Sequence, residues 1–146
     1  MPRSRSEIAA EFNALANADF EGDKHAHGFG RLAELCDEVR STNDPTFWIP
    51  FLFQSMERLA EADIGSPGPF VHTLESWQGQ YGPTLFEFVS RNPTSHGLWM
   101  VNRILNSCPS DAAEWLDLLH RVADDPNTST RIKEEATEYI RRQTGA

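Results

Sequence analysis

Apolar residues recur along the chain at intervals of three and four. Nowhere does alternation of apolar and polar positions last long enough to mark a half-buried strand, so the pattern predicts an all-α fold. A first helix is expected over roughly Arg5 to Ala18, with Ile8, Phe12, Leu15 and Ala16 on one stripe and Ser6 as its N-cap. It dissolves into Asp19-Phe20-Glu21-Gly22-Asp23. A second helix, roughly Ala26 to Arg40, would bury Phe29, Leu32, Cys36 and Val39 and expose Glu34, Asp37 and Glu38, with Gly28 and Gly30 weakening its first turns.

Proline punctuates the rest. Asp44-Pro45-Thr46 opens a third helix with Asp44 as cap and Pro45 at the first position, where a missing N–H costs nothing. Ile49, Leu52, Phe53, Met56 and Leu59 form its stripe, while Phe47, Trp48 and Phe51 make it apolar nearly all round, and Pro50 falls near its first turn, where proline is tolerated. Ser66-Pro67-Gly68-Pro69 opens a short fourth helix carrying Phe70, Val71, Leu74 and Trp77, and Gly82-Pro83-Thr84 a fifth carrying Leu85, Phe86, Phe88 and Val89. Asn92-Pro93-Thr94, Cys108-Pro109-Ser110-Asp111 and Asp125-Pro126-Asn127-Thr128 announce three more, the last two over roughly Asp111 to Ala123 and Ser129 to Gln143. These three prolines repeat at about half the period of helical-hairpin arrays, without the residue signatures of tetratricopeptide or ankyrin repeats. About eight short helices in hairpins are therefore expected, either as a HEAT-like α-solenoid or as an orthogonal helical bundle, in one domain spanning residues 1–146.

Composition narrows the function. Of 146 residues 39% are apolar, with 9 Phe and 4 Trp, which is more than a disordered chain carries and enough for a core. The formal net charge is −9, and between Ser6 and Asp63 stand 12 acidic against 4 basic residues. Such a chain is repelled by phosphate backbones and anionic lipid, which argues against nucleic-acid and membrane binding and favours a basic protein partner. The longest apolar run, Phe47 to Phe53, is far shorter than the ~20 residues of a membrane span, and Glu7, Glu11 and Asn13 break any secretory signal after Arg3 and Arg5. A cytoplasmic location is expected.

No arrangement argues for catalysis. There is no nucleophile elbow, no phosphate loop, and no strand ahead of Gly28-Phe29-Gly30 that a dinucleotide site requires. Cys36 and Cys108 lack close-spaced companions and read as reduced core residues. His25 and His27, beside Asp23, could contribute metal ligands, but a two-residue offset splits them across a helix, so no metal or other cofactor is assigned. The sixth helix is unusual. Leu98, Val101, Leu105 and Cys108 form its apolar stripe, while Trp99, Asn102, Arg103 and Asn106 make a polar seam. That seam would either hold neighbouring helix ends by hydrogen bonds, with Arg103 packed on Trp99, or bind a ligand.

The run Gly68-Pro69-Phe70-Val71-His72, then Leu85 to Arg91, then Asn92-Pro93-Thr94 with Leu98-Trp99-Met100-Val101-Asn102-Arg103-Ile104-Leu105-Asn106, resembles small helical immunity proteins encoded beside bacterial polymorphic toxins. The resemblance covers about the middle third of the chain and carries no catalytic signature. It implies a non-enzymatic cytoplasmic antitoxin that binds a cognate toxin domain and blocks its active site or substrate surface. An acidic inhibitor would suit a basic toxin by mimicking nucleic acid, and Glu21, Asp23, Glu34, Asp37, Glu38, Asp44, Glu57, Glu61 and Asp63 are the expected partner-binding carboxylates. A non-catalytic α-solenoid adaptor for some other protein is the alternative.

Overall fold

Helix starts follow from local chemistry. Ser4, and not Ser6, caps the first helix, because only Ser4 has a glutamate three residues on. Glu7 N–H donates to the Ser4 hydroxyl and Ser4 N–H to the Glu7 carboxylate, each at 3.2 Å, closing a capping box. Thr94 and Ser129 cap later helices the same way, accepting from Gly97 N–H at 3.1 Å and Ile132 N–H at 3.3 Å. Asp44 and Asp111 occupy N-cap positions without using their side chains as caps.

The structure is a computed structural model that describes residues 3–65, 68–77 and 79–145. Among these lie eight α-helices and no strand: α1 (Arg5–Ala14), α2 (His25–Thr42), α3 (Pro45–Arg58), α4 (Gly68–Glu75), α5 (Gly82–Arg91), α6 (Ser95–Asn106), α7 (Ala112–Asp124) and α8 (Thr130–Thr144). The fold is all-α. Between α1 and α2 run two 3-10 turns, Asn17–Phe20 and Gly22–Lys24. Ser66 and Pro67, expected to open α4, lie outside the described residues. Their contacts gather the helices into two compact units, Met1–Tyr81 and Gly82–Ala146.

The first unit is organised around α2, which touches α1, both 3-10 turns and α4. Phe12 of α1 meets the aromatic residues of α3 and α4, its ring centre 5.6 Å from Phe51, 6.3 Å from Trp48 and 6.2 Å from Phe70. Trp48 is fully buried, and its indole N–H is satisfied by the Thr42 hydroxyl at 2.9 Å. Pro50 is the sixth residue of α3, beyond the first turn where it was expected, so the helix lacks the bond that residue 50 would make to Thr46. Both residues are exposed, which leaves water to serve the Thr46 carbonyl. Arg58 closes the other end of α1 by donating to the Leu15 carbonyl and, at 2.7 Å, to that of Phe12, which also accepts the Leu15 N–H at 3.1 Å.

Gly28 has a packing role that helix propensity conceals. At that point α2 crosses the first 3-10 turn so closely that a Cβ would stand 2.2 Å from the Asp19 carbonyl oxygen. Glycine permits the crossing, and Phe20, in that turn, is buried.

In the second unit α5 pairs with α6 and α7 with α8, while α5 also lies on α7 and α6 on α8. That is the contact pattern of two stacked helical hairpins. Trp115 is buried, its ring 5.2 Å from Phe86 at 66°. The final helix buries Ile132 and Ala136 and leaves Tyr139 and Ile140 half-buried.

Candidate functional site

Seven of the nine expected carboxylates sit on or beside α2 and α3, and the structure divides the nine into two groups by what holds them. In the first group, the chain's own arginines take the charge. Arg3 Nε donates to Glu38 at 2.9 Å, and its guanidinium also pairs with Glu11. Arg31 pairs with Glu11 and with Glu34 at 3.4 Å, Arg40 pairs with Asp37, and Arg5 reaches Asp44 at 3.1 Å while lying over the Phe47 ring. The hydrogen bond from Arg3 holds the Glu38 carboxyl below the usual glutamate range against the opposing effect of burial, and Glu38 in turn raises Arg3. Glu7 is lowered chiefly by its bond from the Ser4 cap. Glu11, absent from the expected set, is the hub of this network. Its partners lie eight and twenty residues away, so only the packing of α1 on α2 brings them together.

Of the remaining carboxylates, Glu21, Asp23 and Asp63 lie at the N-terminal end of α2. Glu21 and Asp23 flank Gly22 in the turn that feeds α2, and both are exposed. Asp63 arrives from the segment after α3. Its backbone carbonyl lies 3.0 Å from His25 Nε2 and its carboxylate 3.5 Å from the same atom, with 78% of the side chain exposed. Glu61 is exposed two residues earlier, and Glu57 half-buried one turn before that, on α3. Carboxylates at this end are favoured by the partial positive charge of the helix N-terminus. In a first unit of net charge −7, from 13 carboxylates and 6 Lys plus Arg, the exposed Glu21, Asp23 and Asp63 carry their charge with no arginine against them among the described residues.

His27 is exposed, and His25 turns to Asp63. Among the described residues no three His, Cys, Asp or Glu side chains come together as a metal site would require. Among the same residues no helix is long and apolar enough to cross a membrane.

The polar seam of α6 is used for packing. Gln143 Nε2 of α8 donates to the side-chain oxygens of both Asn102 and Asn106, each at 2.7 Å, so the partner is a side chain and not the helix-end carbonyls that the sequence suggested. Arg103 lies 4.9 Å from the centre of the Trp99 ring. Ser95 adds a hydroxyl bond to Glu135 at 2.8 Å, so α8 is tied to both ends of α6. Of the cysteines, Cys36 is buried as expected, whereas Cys108 is exposed. It lies past the end of α6 at φ 54°, out of the apolar stripe.

The chain matches no protein-family model, no curated protein and no solved structure.

Proposed function

We propose that this chain is a non-catalytic protein-binding module that engages a basic partner through the carboxylates at the N-terminal end of α2. Following the resemblance of its middle third, we take that partner to be a bacterial toxin domain, which the chain neutralises in the cytoplasm as an immunity protein by covering the toxin's active site or substrate surface. The observation that carries the reading is the division of charge. Glu34, Asp37, Glu38 and Asp44 pair with the chain's own arginines, while among the described residues Glu21, Asp23, Glu61 and Asp63 are exposed and pair with no arginine. Exposed charge of one sign steers an oppositely charged partner and raises the association rate.

The test is co-expression with the C-terminal domain encoded by the neighbouring reading frame. Co-purification and rescue of growth support the reading, and loss of both overturns it. Capture of a housekeeping protein instead would favour the adaptor, for which the stacked hairpins of α5 to α8 are a suitable scaffold. Replacing Glu21, Asp23, Glu61 and Asp63 by their amides should slow association on the order of tenfold at low salt and leave dissociation nearly unchanged. The same change at Glu34 and Asp37 should act less, because they lie nine and twelve residues along α2 from His25 and so farther from a partner docked at its N-terminal end.

A further inference from the structure

A groove of about 420 Å³ runs between α2 and α4. Its walls come from Phe29, Ala33 and Cys36 on α2 and from Gly65, Pro69 and Thr73 on the segment leading into and along α4. The volume lies in the range that holds a bound side chain or small ligand. Its floor offers shape and little polarity. The Thr73 hydroxyl is spent on the Pro69 carbonyl at 2.8 Å, and Cys36 is buried, its thiol pushed up to about 12 by desolvation, which makes it a small apolar group.

Apart from the imidazole of His72 on the α4 wall, the ionisable groups stand at the two ends. Along α2 the groove extends from Phe29 to Arg40, roughly 16 Å at the rise of an α-helix. At the Arg40 end, Asp37 and Arg40 neutralise each other. At the Phe29 end, the Phe29 ring stacks on His25 with centres 6.0 Å apart. Gly65, held at φ 86°, where only glycine is comfortable, donates its N–H to the Asp63 carboxylate at 3.3 Å. The apolar channel therefore opens directly onto the acidic end of α2.

We propose that this groove receives an apolar side chain of the partner whose neighbouring lysine or arginine meets Asp63. The inference rests on the binding reading above and names the kind of anchor that the basic partner presents. A buried apolar anchor beside a charged rim is how compact interfaces combine affinity with a steered approach.

The probe is a capped tripeptide, lysine–phenylalanine–lysine, titrated into the isotope-labelled full chain and followed by amide chemical shifts. Two further peptides replace lysine by glutamate or phenylalanine by alanine. The lysine–phenylalanine–lysine peptide should shift Phe29, Ala33 and Thr73 saturably, with Kd on the order of millimolar. The glutamate peptide should bind roughly threefold more weakly or worse, and the alanine peptide should not saturate. Ala33→Phe, which fills the groove, should abolish the effect, and Asp63→Asn, which leaves its shape intact, should erase the preference for lysine. Equal binding of the three peptides, shifts that map elsewhere, or groove shifts that grow with protein concentration alone and so signal a second copy, would each overturn the proposal. If a toxin domain still co-purifies with Ala33→Phe at unchanged affinity, the groove proposal fails and the immunity reading stands. If no partner is captured by the unaltered chain, that reading fails while the peptides still judge the groove.

Discussion

Replacing Gly28 by alanine and Gly30 by alanine should move stability in opposite directions. Both glycines lie in the first half of α2, so helix propensity alone favours each substitution by up to about 0.8–1.0 kcal/mol. At Gly30 an added Cβ meets nothing within 4 Å, and that gain stands unopposed. At Gly28 it would lie 2.2 Å from the Asp19 carbonyl oxygen, 1.2 Å short of the 3.4 Å at which ordinary contact begins. The obstacle is backbone, so relief requires the 3-10 turn to move off α2 and Phe20 to leave its buried site. Overpacking of this kind costs about 1–3 kcal/mol, and a rigid obstacle belongs near the top of that range. After subtracting the propensity gain, Gly28→Ala should destabilise by about 2 kcal/mol. Urea denaturation followed by circular dichroism reads both changes, and in heating the pair should separate by roughly 6–9 °C at about 3 °C per kcal/mol. A neutral or stabilising Gly28→Ala would refute the close crossing. Because the displaced turn leads to Glu21 and Asp23, the same variant should also slow partner association more than its stability loss accounts for.

Three further outcomes are expected. Glu38 has a folded-state pKa below its unfolded value, so its contribution to stability is full above the unfolded pKa and disappears as pH falls through the folded one. Glu38→Gln should therefore flatten the acid limb of the stability curve between those two values, and an unchanged limb would sink the Arg3 assignment. A thiol reagent applied to the native chain should titrate one cysteine rapidly, the exposed Cys108, and reach Cys36 only on unfolding; two fast equivalents would contradict the buried position of Cys36. Gln143→Ala strands the side-chain oxygen of the buried Asn102 and should cost about 1–2 kcal/mol, measured by denaturation, whereas a cost near zero would mean that the bridge between α6 and α8 contributes nothing.

Much of the helical framework was readable before folding because its signals are local. Pro45, Pro93 and Thr94 mark helix starts through the constraint on φ and through capping, which act within four residues. Even the error at Ser6 was correctable locally, since Glu7 stands three residues after Ser4 and Ala9 three after Ser6. Gly28 shows where this stops. Propensity treats a glycine in a helix as a weakness, and only the path of a segment nine residues earlier turns it into a requirement. Cys108 fails for a related reason: its i+3 spacing from Leu105 continues the stripe of α6, but the helix ends at Asn106 and the chain turns away at positive φ.

The carboxylates were legible as residues and not as a site. Counting charge located the excess before Asp63, yet a count weighs Glu38 and Glu21 equally, while in the fold Arg3 occupies one and leaves the other exposed. Which carboxylates remain available depends on the packing of α1 on α2, on Arg31 reaching Glu11, and on the return of the chain after α3 to His25. Those contacts span twenty to thirty-eight residues. The arginines that take part also lower the acidity of the first unit, so structural pairing and partner steering compete for one pool of charge. A substitution such as Arg31→Ala would therefore act twice, loosening the bond between α1 and α2 and leaving the exposed Glu34 without its positive partner. It should accelerate association with a basic partner at low salt while reducing stability, an opposition of sign that neither a purely structural nor a purely steering role for these carboxylates produces.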